Sequence, residues 1–174
     1  MKLGPNGKLV GIGLFVAAWM LVLAVARSYG AQGAPADQGA AQKEVRDATL
    51  KFYVALNSAF GGDLDPINPV WSHASDVSMM GPLGGRAVGW NEVYAQFQSM
   101  GRMNLGARIT PADIVVVVDS DLAYSFCDER GEARDPRGGT LKFSDRATNI
   151  FRREDGKWKM IHYHADSVPE LSQR

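Results

Sequence analysis

The chain has 174 residues, 45% of them apolar, and its 19 Lys plus Arg balance its 19 Asp plus Glu. That length supports one domain of roughly 130 residues with its own core once the N-terminal stretch is set aside, and the balanced charge, with no basic stripe interleaved with aromatics, argues against a nucleic-acid partner. The lone Cys127 excludes an intrachain disulfide and a cysteine-based zinc cluster; in an apolar strand it reads as a buried, inert thiol.

Lys2 and Lys8 precede an uninterrupted apolar run from Leu9 to Ala26, which Arg27 closes. Residues 1–27 are therefore expected to be a signal peptide or an N-terminal membrane anchor: the run is as long as a short spanning helix, and Ala24-Val25-Ala26 offers a small-x-small cleavage pattern. Positive charge ahead of the run keeps that end in the cytoplasm, so the domain is expected outside it, periplasmic or extracellular, soluble or held to the membrane through residues 9–26. Residues 28–41, rich in Gly, Ala and Gln, read as a flexible linker. The folded domain is expected over 42–168, with 169–174 as a tail.

From Gln42 to Phe60, Val45, Ala48, Phe52, Leu56, Ala59 and Phe60 recur at the three-and-four spacing of an amphipathic helix, stopped by Gly61-Gly62. Asp65-Pro66 opens a short second helix reaching Trp71, made irregular by Pro69. Asp76 to Met80 reads as a strand ended by Gly81-Pro82, and Trp90, Val93, Phe97 and Met100 stripe a third helix. Strands follow at Leu105 to Thr110, Ile114 to Val118, Leu122 to Asp128, Leu141 to Arg152 and Lys157 to His164, and Gly131 to Gly139 reads as a charged, solvated hairpin tip. Helices followed by antiparallel strands predict an α+β fold: three N-terminal helices on a curved, mostly antiparallel sheet that can enclose a cone-shaped pocket. The apolar run Ile114 to Val118 suggests burial on both faces, which predicts a homodimer through the sheet.

The last strand carries the densest chemistry. Period-two alternation puts Trp158, Met160, His162, His164 and Asp166 on one face and Lys159, Ile161, Tyr163 and Ala165 on the other. His162, His164 and Asp166 suit an acid-base pair or metal ligands, but residues two apart on a strand stand some 6 to 7 Å apart, so no metal is expected without a further strand. His73 is either a base oriented by Asp76 or a cap on the short helix. Arg146, on the face of Thr148, needs an anionic partner if buried, such as Asp76, Asp128 or a carboxylate ligand, and none if it is an exposed hairpin residue. Trp71, Met79 and Phe97 are apolar candidates for pocket lining or for core, as are Met80, Met100 and Met103. Tyr53 lies one residue off the first helix's core stripe, its hydroxyl directed either into a pocket or into water.

The order of elements, together with Arg152-Arg153-Glu154-Asp155-Gly156-Lys157-Trp158 running into His162-Tyr163-His164, resembles the SnoaL-like branch of the nuclear transport factor 2-like superfamily over about Gln42 to Asp166. That superfamily includes ketosteroid isomerase, scytalone dehydratase, polyketide cyclases, limonene epoxide hydrolase and the association domain of calcium/calmodulin-dependent protein kinase II, so the resemblance implies the fold and leaves catalysis and assembly both open. Matched to the isomerase, Tyr53 takes the place of the oxyanion-hole tyrosine and Thr148 falls near its protonated aspartate, while Gly81 stands where the general base belongs. The isomerase mechanism is not expected. The same matching turns Ile161, Tyr163 and Ala165 toward the pocket, against the histidine face that we take as facing inward. Trp158 and the histidine-rich last strand are also similar to the kinase association domain.

The expected function is binding of a small, largely apolar molecule carrying a carbonyl or carboxylate, with proton transfer or water addition as the chemistry and no cofactor. His164 or His73 would act as acid or base, Tyr53 and Thr148 would donate hydrogen bonds, Arg146 would attract the anionic end, and His162, Trp71, Met79 and Phe97 would line the pocket. The alternative is a non-catalytic assembly or ligand-sensing module.

Overall fold

Helix α1, Pro35–Phe60, opens on a proline at its first position and ends on Gly61 and Gly62, the latter at φ 90°. The computed structural model describes residues 35–82, 84–104, 106–135 and 137–168, so the apolar run 9–26 and the 169–174 tail lie outside the described residues. The helix begins earlier than the apolar periodicity suggests, inside the stretch expected to be linker. The second expected helix is only a 3-10 turn, Asp65–Ile67: Pro66 suits its opening, but Pro69 lacks the amide donor that would bond back to Asp65 in a longer helix. The third is α2, Trp90–Met103, closed by Asn104 in the left-handed conformation. Among the described residues no helix is long and apolar enough to cross a membrane.

The strands are β1 Ser78–Met80, β2 Ala87–Val88, β3 Arg108–Val118, β4 Leu122–Arg134, β5 Thr140–Glu154 and β6 Lys157–Ser167. They form one sheet in the order β2-β1-β6-β5-β4-β3, antiparallel throughout except for the β1–β6 pair. The fold class is the expected one, with two helices in place of three. The two strands expected between Leu105 and Val118 are one, bent at a register shift between Ala112 and Val115 where Asp113 takes φ 53°. The β4–β5 hairpin runs further than expected, so Gly131 to Arg134 are strand and not loop. Asp155 and Gly156, both at positive φ, make the two-residue turn into β6.

One sheet face packs under α1 and α2, around Phe52, Leu56, Ile67, Trp71, Met79, Phe97, Phe151 and Met160, each at most 2% exposed. Trp71 meets Phe52 and Phe97 edge-on at 6.3 and 5.8 Å between ring centroids, and the backbone of Val70 to Ser72 bonds to Met160 on β6. The sheet edge at β3 is held by α1: the Asn57 amide both donates to the Ile109 carbonyl at 2.9 Å and accepts from its N–H at 2.8 Å, and Arg46 donates to the Ile114 carbonyl. Ile114, Val116 and Val118 pack on the core while Val115 and Val117 are exposed, so that strand is covered on one face only among the described residues.

Candidate functional site

Every fourth residue of α1 from Val45 onward faces the sheet, and three of them are polar: Thr49, Tyr53 and Asn57. Opposite them, β4 turns Ser125, Cys127, Glu129 and Gly131 inward at period two. The two rows meet in register. Thr49 Oγ1 lies 2.8 Å from Ser125 Oγ, the Tyr53 hydroxyl donates to Glu129 Oε1 at 2.7 Å and lies 3.1 Å from Cys127 Sγ, and Asn57 holds Ile109, the β3 partner of Gly131.

Glu129 is completely buried. A second phenol reaches it from β6: the Tyr163 hydroxyl donates to Oε1 and Oε2 at 3.0 and 3.2 Å. Burial pushes the Glu129 carboxyl up from 4.5 to about 7; the two phenol bonds oppose that shift, and nearby Asp145 adds to it. The same surroundings hold the Tyr53 and Tyr163 hydroxyls far above their ordinary range, chiefly by burial, so both remain neutral donors. Cys127, raised to about 11 by burial, is the inert thiol expected. Asp145 stands directly across from Glu129 in the β4–β5 register, and burial raises its carboxyl as well. A cleft of about 810 Å³ borders Glu129, Gly131 and Phe143 and is rimmed by charged side chains, among them Arg108, Asp128, Arg130 and Lys142. A carboxyl near its midpoint at neutral pH, fixed by two donors, is equipped to take up or release a proton.

Of the residues singled out from the sequence, Tyr53 belongs to this cluster. The others do not converge on it. A register shift between Ile150 and Phe151 leaves Ile161 without a partner on β5 and reverses the strand's parity: Trp158 and Met160 face the core before it, Tyr163 and Ala165 after it. His162 and His164 therefore point to the outer face, their rings 6.4 Å apart, with His162 Nδ1 2.8 Å from Ser78 Oγ. Thr148 is beside them, across from His164, and is exposed. Arg146 is exposed and paired with Asp166, whereas Asp76 pairs with Arg152. His73 stacks on Trp90 at 4.1 Å on the surface, its Nε2 3.1 Å from the Asn68 carbonyl. Trp71, Met79 and Phe97 are core.

Two cross-strand rows cross the outer face, apolar over β3 and β4 and polar at the histidines of β6. Val115, Phe126, Thr148, His164 and Met80 form one, and Val117, Tyr124, Ile150, His162 and Ser78 the other. Val115, Val117, Tyr124 and Phe126 are each 40–44% exposed and form a contiguous apolar patch.

The family model for the SnoaL-like domain matches residues 45–169. Among solved structures, a Streptomyces avermitilis protein of the nuclear transport factor 2-like family, provisionally assigned as a dehydratase, is 25% identical with a TM-score of 0.65, over 72% of this chain and 95% of its own. A Thiobacillus denitrificans protein, provisionally assigned as a calcium/calmodulin-dependent protein kinase type II association domain, is also 25% identical, with a TM-score of 0.59 over 70% and 92%. A Salmonella enterica protein of the nuclear transport factor 2-like superfamily, 16% identical with a TM-score of 0.64 over 74% and 92%, shares the fold. No curated protein matches. With two helices packed on a six-stranded sheet around an inward-facing carboxyl, and with the family match running from α1 to the end of β6, this chain belongs to the SnoaL-like domain family.

Proposed function

We propose that the domain binds a small, largely apolar molecule beside Glu129 and moves a proton on it, in a reaction that eliminates or adds water or shifts a double bond. The observation that carries this reading is the buried Glu129 carboxyl, poised at about 7 between the Tyr53 and Tyr163 hydroxyls. As the carboxylate it takes a proton from carbon; as the acid it returns one. Its charge is stabilised by phenols that need no reorganisation. The likeness to the Streptomyces avermitilis protein supports the same class of chemistry. The test is incubation of the protein in deuterium oxide with β-hydroxy ketones and enones of graded size, read by proton NMR. Deuterium exchange or water elimination that disappears in Glu129→Gln is the expected result; turnover that survives Glu129→Gln contradicts it.

A second reading, assembly, draws on the outer-face apolar rows and on the likeness to the Thiobacillus denitrificans protein. In it, two copies pair through Val115, Val117, Tyr124 and Phe126, with the histidine pair at the seam. The two readings use opposite faces of the sheet and are compatible. The apolar run Leu9 to Ala26 would deliver the domain outside the cytoplasm, which the N-terminal mass of the mature protein tests: an intact Met1 rules out cleavage.

A further inference from the structure

The two histidines of β6 lie on the face of the sheet opposite Glu129, with their ring centroids 6.4 Å apart; His162 is half-buried and His164 exposed. Two imidazoles two residues apart on a strand hold an ion well only when another strand adds a ligand. Among the described residues no three His, Cys, Asp or Glu side chains gather for that purpose, and Asp166, the next acid along this face, is paired with Arg146. The strand that adds a ligand of another kind is β1. It runs parallel to β6 with Ser78 across from His162 and Met80 across from His164. Met79, between them, is buried, so Ser78 and Met80 share the outer face with the histidines. Neighbouring strands lie about 4.8 Å apart, within the span of a methionine side chain. Ser78 Oγ stands 2.8 Å from His162 Nδ1. An Nδ1–H donated to that oxygen fixes the tautomer that leaves the Nε2 lone pair free, as for a metal-binding histidine held by an outer partner.

We propose that His162, His164 and Met80 bind one copper(I) ion on the outer face of the sheet. Two imidazoles and a thioether are borderline and soft donors, the set that suits copper(I); calcium and magnesium require oxygen ligands, and zinc gains little from a thioether. Copper(I), a closed-shell ion, is satisfied by three such ligands. Metal–nitrogen distances of about 2 Å place two imidazoles on one ion with centroids about 5 to 6 Å apart. A turn of the exposed His164 ring by roughly an ångström therefore closes the chelate, while His162 is already held by Ser78. The three ligands belong to one chain and to the outer face, so the site depends neither on the Glu129 reading nor on pairing of two copies.

The test titrates copper(I) into the whole protein in the absence of oxygen, in competition with ferrozine, whose coloured copper(I) complex reports the ion that the protein does not hold; zinc(II) is titrated separately by calorimetry. One copper(I) per chain is expected. Met80→Leu keeps the volume and apolar character of the side chain and removes its sulfur. It should weaken copper(I) by at least about tenfold and zinc(II) by less than about threefold, whereas His164→Gln should weaken both by at least about tenfold. Melting curves establish that each variant is folded, and the exposure of His164 makes its replacement the safer of the two. Copper(I) affinity that is unchanged in a folded Met80→Leu or His164→Gln protein overturns the assignment, as does a parent protein that leaves all of the copper(I) with ferrozine.

Discussion

Replacing Tyr53 by Phe removes one hydroxyl from the interior and nothing else, and its effect should depend on pH in a way fixed by Glu129. With its carboxyl at about 7 in the folded protein against 4.5 in the unfolded chain, Glu129 stays protonated on folding across that interval. The folded state therefore binds more protons than the unfolded one, and this group's contribution is full below about pH 4.5 and is lost as pH rises through 7, at about 1.4 kcal/mol per unit and about 3 kcal/mol in all. The bond from Tyr53, at 2.7 Å, favours the carboxylate and so limits that loss. A hydrogen bond to a charged group contributes about 1.5–3 kcal/mol, equivalent to about one to two pKa units, so Tyr53→Phe should move the Glu129 midpoint further up by roughly that amount. The variant should then be only about 1 kcal/mol less stable than the parent near pH 5.5, where Glu129 is neutral in both, and a further roughly 1–2 kcal/mol less stable near pH 9. Urea unfolding at the two pH values measures both. An equal loss at each pH, or a Glu129 midpoint that falls in the variant, would refute the claim that the phenol holds a buried carboxyl near neutrality.

Gly131→Ala should cost about 1–3 kcal/mol, because a β-carbon there would lie 2.1 Å from the Phe143 ring; adding Phe143→Ala should recover part of the loss in the same unfolding assay, and a neutral Gly131→Ala would show that the ring does not rest on that position. Phe126→Asp puts a charge in the middle of the outer apolar rows, so sedimentation should show a dimer in the parent and a monomer in the variant with an unchanged melting temperature, whereas a parent that stays monomeric at high concentration would exclude pairing through this face.

Much of the architecture was legible in the chain because periodicity reports burial directly: the α1 stripe, the α2 stripe and the Asp155-Gly156 turn are all local signals. The candidate site was harder to read, for two local reasons. The bulge at Ile161 is one unpaired residue in an otherwise regular strand, and period-two reading carried through it assigns His162 and His164 to the wrong face; the isomerase matching, which turned Tyr163 and Ala165 inward, has the correct parity beyond the bulge. Glu129 lies one residue past the strand end expected at Asp128, although alternation from Ala123, Ser125 and Cys127 already places position 129 on the inner face. The i, i+4 series Thr49, Tyr53, Asn57 carried a matching signal: three polar groups on the buried side of a helix require partners across from them. Asp145 has no such cue, and Tyr163 only the isomerase matching, since their roles arise from cross-strand register, which a single strand does not encode.

The most direct test of the central claim is the titration of the Glu129 side-chain carboxyl itself, followed by carbon NMR on protein labelled at glutamate and assigned with Glu129→Gln. A midpoint near 7 is what the burial and the two phenol donors require. A midpoint at the ordinary 4.5 would mean that the carboxyl is solvated, that the Tyr53–Glu129–Tyr163 cluster does not form in solution, and that no proton-transfer role can be built on it.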